Sequence, residues 1–174
     1  MAQEIKIIDL KMVNCYLVKT DRGFILIDTG MSVHRAALDK ALAEAGCVDG
    51  DLQLVILTHG DMDHSGNGAY LQKKYKAKIA IHKGDADMCV SGQMRLNRKI
   101  TSFFHKVFFG LMFKLMMGPR MKKNPFEIFT PDILLEDGQS LAEYGFDAKI
   151  IHVPGHTKGS IVIPDFPDGI SFRV

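Results

Sequence analysis

Four metal-type donors, His59, Asp61, Asp63 and His64, fall within six residues, directly after the apolar run LQLVIL at 52–57. Imidazole nitrogens and carboxylate oxygens are the usual donors for Zn²⁺, and they also suit Fe and Mn. The alternative is a polar turn whose Asp and His side chains cap the next helix, but four donors on one short loop favour a metal. In extended backbone His59, Asp61 and Asp63 project to one side, and His64 to the other as the chain bends towards Ser65-Gly66. One loop can then serve two adjacent metals.

The remaining candidates are fewer. His82 ends a strand pattern before Lys83-Gly84-Asp85 and is expected on a surface loop, although it could face the site. His34, His105 and His152 have no ligand-like neighbours at useful spacing. Cys15, Cys47 and Cys89 are widely spaced with no C-x-x-C pair, which indicates neither a disulfide framework nor a thiolate zinc site. Cys89 is expected to be a small buried hydrophobe. A reducing, cytoplasmic location fits, and MAQEIKIIDL carries charges where a signal peptide needs an apolar stretch.

These residues must be held by a scaffold, and the patterning describes one. EIKIIDL, MVNCYLVKT and GFILID read as short strands in an antiparallel meander. Ser32 is placed to N-cap a helix running to Ala45, with Gly46 as its stop. LQLVIL reads as a strand buried on both faces. A helix is expected at Gly68 to Tyr75, a strand at Lys78 to His82, and further strands in DILLEDG, DAKIIHV and SIVIPDF. The order of strands and helices implies an α/β layer structure.

With these elements in view, T-H-x-D-x-D-H-x-G-N resembles the H-x-H-x-D-H signature of the metallo-β-lactamase-fold hydrolases. Pro154-Gly155-His156-Thr157-Lys158-Gly159-Ser160 is similar to the P-G-H-T-x-G-S element of that superfamily, and FILIDTG resembles a third element ending on Asp28. The resemblance implies a metallo-β-lactamase-like αββα sandwich. It implies one metal site from His59, Asp61 and His156 and the start of a second from Asp63 and His64. Asp28 would orient a ligand through hydrogen bonds, or would simply close a turn with Thr29-Gly30. The implied chemistry is metal-assisted hydrolysis, with Asp63 holding and orienting the attacking hydroxide.

Two features depart from the family pattern. Asp61 stands where most of these hydrolases have histidine, which hardens the site and favours Fe or Mn more than three histidines would. An acidic residue there also resembles the flavodiiron oxygen reductases, a minor alternative. The family pattern also continues, with a bridging aspartate and a last histidine, whereas this chain ends at Val174, only 18 residues after His156. Asp165 and Asp168 are the only later carboxylates. The second half of the sandwich is therefore expected to be incomplete.

Composition sets the outer limits. The chain has 174 residues, 47% of them hydrophobic and 24% charged, which suits one globular domain and excludes disordered or collagenous classes. No apolar run reaches the roughly 20 residues of a membrane-spanning helix. The net charge of +2 conceals a split: residues 88–126 carry eight Lys or Arg and no acid, together with 12 of the 21 Met and Phe residues. This stretch reads as a basic, helical insertion in a single domain spanning 1–174. Phe104, Phe108 and Met112 lie on its apolar stripe. Packing on the protein's own core, a lid over the metal pocket, a dimer contact and weak membrane-surface contact through 100–123 are the readings open to it. Nucleic-acid binding is not expected.

The leading expectation is thus a metal-dependent hydrolase carrying one or two zinc ions, with Fe or Mn as substitutes. It would act on a small-molecule ester, thioester or lactone, as a homodimer. The alternative is a truncated or degenerate module that binds metal or dimerises without catalysis.

Overall fold

The computed structural model describes residues 4–94 and 125–164. Its main feature is a six-stranded sheet in the order β1 (Glu4–Asp9), β2 (Asn14–Thr20), β3 (Gly23–Ile27), β4 (Leu52–Leu57), β5 (Lys78–His82) and β6 (Ile133–Leu135). The first three strands pair antiparallel, as the meander reading expects. From β3 onward the pairing is parallel. Strand β7 (Ile151–His152) and strand β8 (Ile161–Val162) form a separate antiparallel pair. The helices are α1 (Arg35–Glu44), α2 (Met62–Ser65), α3 (Gly68–Tyr75) and α4 (Ala86–Ser91).

The two faces of the large sheet are both apolar because its central strands alternate between two cores. Val55 and Leu57 of β4 pack with Leu38, Leu42 and Leu71 from the helices. Leu54 and Ile56 pack with Leu141, Phe146, Ile150 and Ile161 on the other face. All four of these β4 side chains are fully buried, which is why LQLVIL lacks the polar alternation of a half-solvated strand. A helical layer, the large sheet and the start of a second sheet therefore follow one another. This is the α/β layering expected from the sequence.

Local chemistry corrects several details. Ser32 does not cap a helix from its own position: Ser32–His34 is a 3₁₀ turn that leads into α1. Gly46 does end α1, at φ 76°, a conformation that glycine adopts without a Cβ penalty. The strands expected in DAKIIHV and SIVIPDF shrink to two paired residues each. Met88 and Cys89, the first residues of the basic segment, belong to α4 and are buried in the core. Phe104, Phe108 and Met112, for which a lid is one reading, the stretch 100–123, for which membrane-surface contact is another, and Asp165 and Asp168 lie outside the described residues.

Candidate metal centre

Parallel strands β3, β4 and β5 end on the same side, and the loops leaving their carboxyl ends carry the polar residues, as crevices of α/β sheets generally do. Asp28 follows β3, Thr58 and His59 follow β4, and Asp85 follows β5. The loop holding His156 is brought to the same edge by β8, where the Ile161 amide donates to the Thr58 carbonyl at 2.9 Å. Asn67 locks the loop after β3 onto the metal-type loop. Its side-chain amide donates to the carbonyls of Thr29 (2.8 Å) and Met31 (3.1 Å), and its backbone N–H donates to the Thr29 hydroxyl.

The metal-type loop is not extended throughout. Asp61 is the last extended residue, and helix α2 begins at Met62, so Asp63 turns away from Asp61 and does not share its side. The side chains accordingly gather into two groups, one of His59, Asp61 and His156 and the other of His59, Asp63 and His64, each with donor atoms within 4.8 Å of one another. His59 stands between them, its ring centroid 4.1 Å from that of His64 and 4.9 Å from that of His156.

The hydrogen bonds fix which imidazole nitrogens face the centre. The Asp28 carboxylate only accepts, so the Thr58 hydroxyl, 2.8 Å from Asp28 Oδ2 and 3.0 Å from Oδ1, gives its proton there. The Thr58 oxygen then accepts from His59 Nδ1 at 3.2 Å. His64 Nδ1 donates directly to Asp28 Oδ2 at 2.8 Å. Both rings are thereby held with the proton on Nδ1 and the Nε2 lone pair turned inward, the usual way a protein orients an imidazole ligand. Asp28 reaches this position through a left-handed backbone, φ 59°, uncommon for a residue with a side chain.

The electrostatics differ between the two rings. Burial, and then the charge of His64, push the His59 pKa down to about 4 against the opposing pull of Asp28, Asp63 and Asp85. For His64 burial also acts downward, but the charge and hydrogen bond of Asp28, together with Asp63, outweigh it and the net direction is up. A neutral His59 with its proton on Nδ1 presents a bare lone pair from Nε2 to Asp61 Oδ2, 3.3 Å away. His156 Nε2 lies 3.1 Å from that same oxygen. His59 and Asp61 are only 1% and 4% exposed, so a lone pair and a carboxylate oxygen face each other with little water between them. A cation resolves that opposition, and two imidazoles with a carboxylate are a donor set for Zn²⁺, Fe or Mn. The residues present therefore fit a metal ion.

Some of the participants are not evident from spacing. Thr58, the hub between Asp28 and both histidines, reads in the sequence only as the residue after a strand. Asp85 reads only as part of the turn after the strand at Lys78 to His82. His82, expected on a surface loop, is buried and stacks on His152 with ring centroids 3.9 Å apart. The expected burial of Cys89 holds, and burial, assisted by Asp85, pushes its thiol up to about 12.

Comparison with known proteins places this geometry in a family context. The profile described as the Metallo-beta-lactamase superfamily matches residues 8–170. The hydroxyacylglutathione hydrolase GloC of Haemophilus influenzae is 27% identical over 162 residues, covering 91% of this chain and 64% of that protein. The acyl-coenzyme A thioesterase MBLAC2 of Bos taurus is 24% identical over 170 residues, covering 87% of this chain and 53% of that protein. Among solved structures, a beta-lactamase from Chitinophaga pinensis superposes with a TM-score of 0.69 at 25% identity, covering 93% of this chain and 54% of the other. The chain spans less than two thirds of the length of each of these two curated relatives.

Proposed function

Because the chain belongs to the metallo-beta-lactamase superfamily, we propose that it is a metal-dependent hydrolase that cleaves an ester, thioester or lactone of a small molecule. The observation that carries this reading is the convergence of His59 Nε2 and His156 Nε2 on one buried Asp61 oxygen. The relatives named as a hydroxyacylglutathione hydrolase and an acyl-coenzyme A thioesterase support the substrate class. Zinc is the proposed ion, with Fe or Mn as substitutes that the harder Asp61 oxygen would accept.

His59, Asp61 and His156 would hold one ion, and His64 with Asp63 would contribute to a second. A bound ion supplies Lewis acidity, polarising the scissile carbonyl and acidifying water. The chain's own residues supply the rest. Asp63, whose side chain is 37% exposed, can reach solvent and accept a hydrogen bond from the attacking water, setting its direction. Asp28 and Thr58 keep His59 and His64 in the tautomer that leaves Nε2 available. His156 lies at the open edge of the site, its side chain half exposed, where an incoming acyl group would pass.

The test is metal analysis of gently purified protein together with a panel of generic ester, thioester and lactone substrates. Near-stoichiometric metal, turnover on the panel, and loss of both in His59→Ala and His156→Ala are expected. Metal-free protein that also takes up no added zinc would overturn the proposal. Metal binding with no turnover would instead favour the non-catalytic binding module. A cytoplasmic location and a homodimer belong to the same proposal, and sedimentation of a clean monomer at micromolar concentration would refute the dimer.

A further inference from the structure

Asp85 lies in the turn after β5, at the N-cap position of α4, where an aspartate ordinarily bonds its own helix's first amides. Its side chain makes no such bond. The carboxylate is fully buried and is spent elsewhere. Oδ2 accepts from the Gly60 amide at 3.2 Å and from the Thr157 hydroxyl at 2.5 Å, and Oδ1 accepts from the Gly159 amide at 2.9 Å. Gly60 lies between His59 and Asp61, and Thr157 follows His156. One carboxylate therefore ties together the two loops that carry the metal-type donors, one bond away in sequence from each.

The packing around Asp85 leaves no slack. A Cβ on Gly159 would stand 2.7 Å from both Asp85 Cγ and Asp85 N, and one on Gly60 would stand 3.2 Å from the Asp85 carbonyl oxygen. Both loops press their bare backbone onto the 84–85 turn. On the far side the Thr157 amide donates to Ser160 Oγ at 3.1 Å, closing the His156 loop on itself. His156 is otherwise at an exposed edge, 95 positions along the chain from Asp61, so local sequence cannot set the distance between them.

We propose that Asp85 is a positioning residue: it sets the separation between the 59–61 loop and the 156–159 loop and thereby holds His156 at ligating distance from His59 and Asp61. The consequence for metal rests on the functional reading above, while the clasp itself does not require a metal. Asn at position 85 has a single acceptor oxygen and turns its NH₂ towards the Gly60 amide or the Gly159 amide, both of which can only donate, so one arm of the clasp is lost. Thr157→Val removes the hydroxyl arm, together with the 2.8 Å bond between the Thr157 and Ser160 hydroxyls, and Thr157→Ser keeps both.

The experiment has two arms, on Asp85→Asn, Thr157→Val, Thr157→Ser and the unaltered chain. In metal-free protein, amide exchange at Gly60 and Gly159 is expected to accelerate about tenfold or more in Asp85→Asn. In the second arm, zinc affinity from competition with a chromophoric chelator is expected to fall ~10–100-fold in Asp85→Asn and Thr157→Val, with Thr157→Ser close to the unaltered chain. Unchanged amide exchange overturns the clasp. Accelerated exchange with unchanged zinc affinity overturns the positioning role. Should Asp85→Asn fail to fold, equal zinc affinity in Thr157→Val and Thr157→Ser overturns that role. An unaltered chain that binds no zinc defeats the functional reading, and with it the positioning of a metal ligand, whereas the exchange arm still decides the clasp.

Discussion

Thr58→Val is the most informative single change, because it removes one oxygen at nearly constant volume from the centre of the hydrogen-bond relay. Thr58 is 2% exposed, and its hydroxyl proton goes to the Asp28 carboxylate. A hydrogen bond to a charged group contributes ~1.5–3 kcal/mol. Asp28 keeps the backbone amide of residue 58 and His64 Nδ1 as partners, so on the Asp28 side only that one bond is lost. The expected cost is about 2 kcal/mol in the stability of the metal-free protein, read by urea unfolding. His59 Nδ1 loses its acceptor at the same time, the ring is free to hold its proton on either nitrogen, and zinc affinity is expected to fall ~10–100-fold. Thr58→Ser restores the hydroxyl and should recover most of both. A valine variant within about 0.5 kcal/mol of the unaltered protein, with zinc affinity within a factor of two, would refute the relay and the tautomer assignment built on it.

Other outcomes follow from the same geometry. Gly159→Ala, which drives a Cβ into Asp85 Cγ and N, should destabilise by ~1–3 kcal/mol in urea unfolding, whereas Gly155→Ala, in open space, should cost far less. Asp28→Asn should leave a protein that folds but holds zinc more weakly, since the new NH₂ must face either the backbone amide of residue 58 in place of Oδ1 or His64 Nδ1 in place of Oδ2, both of which donate; equal zinc affinity in chelator competition would contradict this. Stability should also fall in mild acid. Burial, and then the charges of His152 and Lys83, lower the His82 pKa below its ordinary value of 6.5. The unfolded chain therefore binds more protons than the folded one below that pH, and stability present above it is lost as the pH falls towards the lowered value. His82→Phe should flatten this dependence between about pH 7.5 and 5.5, and an unchanged slope would show that His82 does not contribute.

The element pattern was largely legible in the sequence because it depends on short-range periodicity. LQLVIL, the helix at Gly68–Tyr75 and the strand at Lys78–His82 appear where the apolar spacing puts them. The extended geometry expected for Asp63 failed because α2 starts at Met62, and a four-residue helix has too little periodicity to be seen. Ser32 failed as a cap for a similar reason, since the chain enters α1 through a 3₁₀ turn.

The sequence by itself determined the donor chemistry: which residues carry imidazole and carboxylate groups, and that His59, Asp61, Asp63 and His64 leave the end of a doubly buried strand. Only the tertiary structure decided what those donors meet. His156 reaches Asp61 from 95 positions away because the Ile161 amide of β8 bonds the Thr58 carbonyl at the end of β4. Asp28, Thr58 and Asp85 gain their partners because three parallel strands end side by side. Periodicity specifies an element, but separation between elements is set by packing and by buried polar groups that must find partners across the fold. Asp85 shows the difference most clearly: in the chain it is one residue of the turn after a strand, and its place in the fold makes it the tie between two loops.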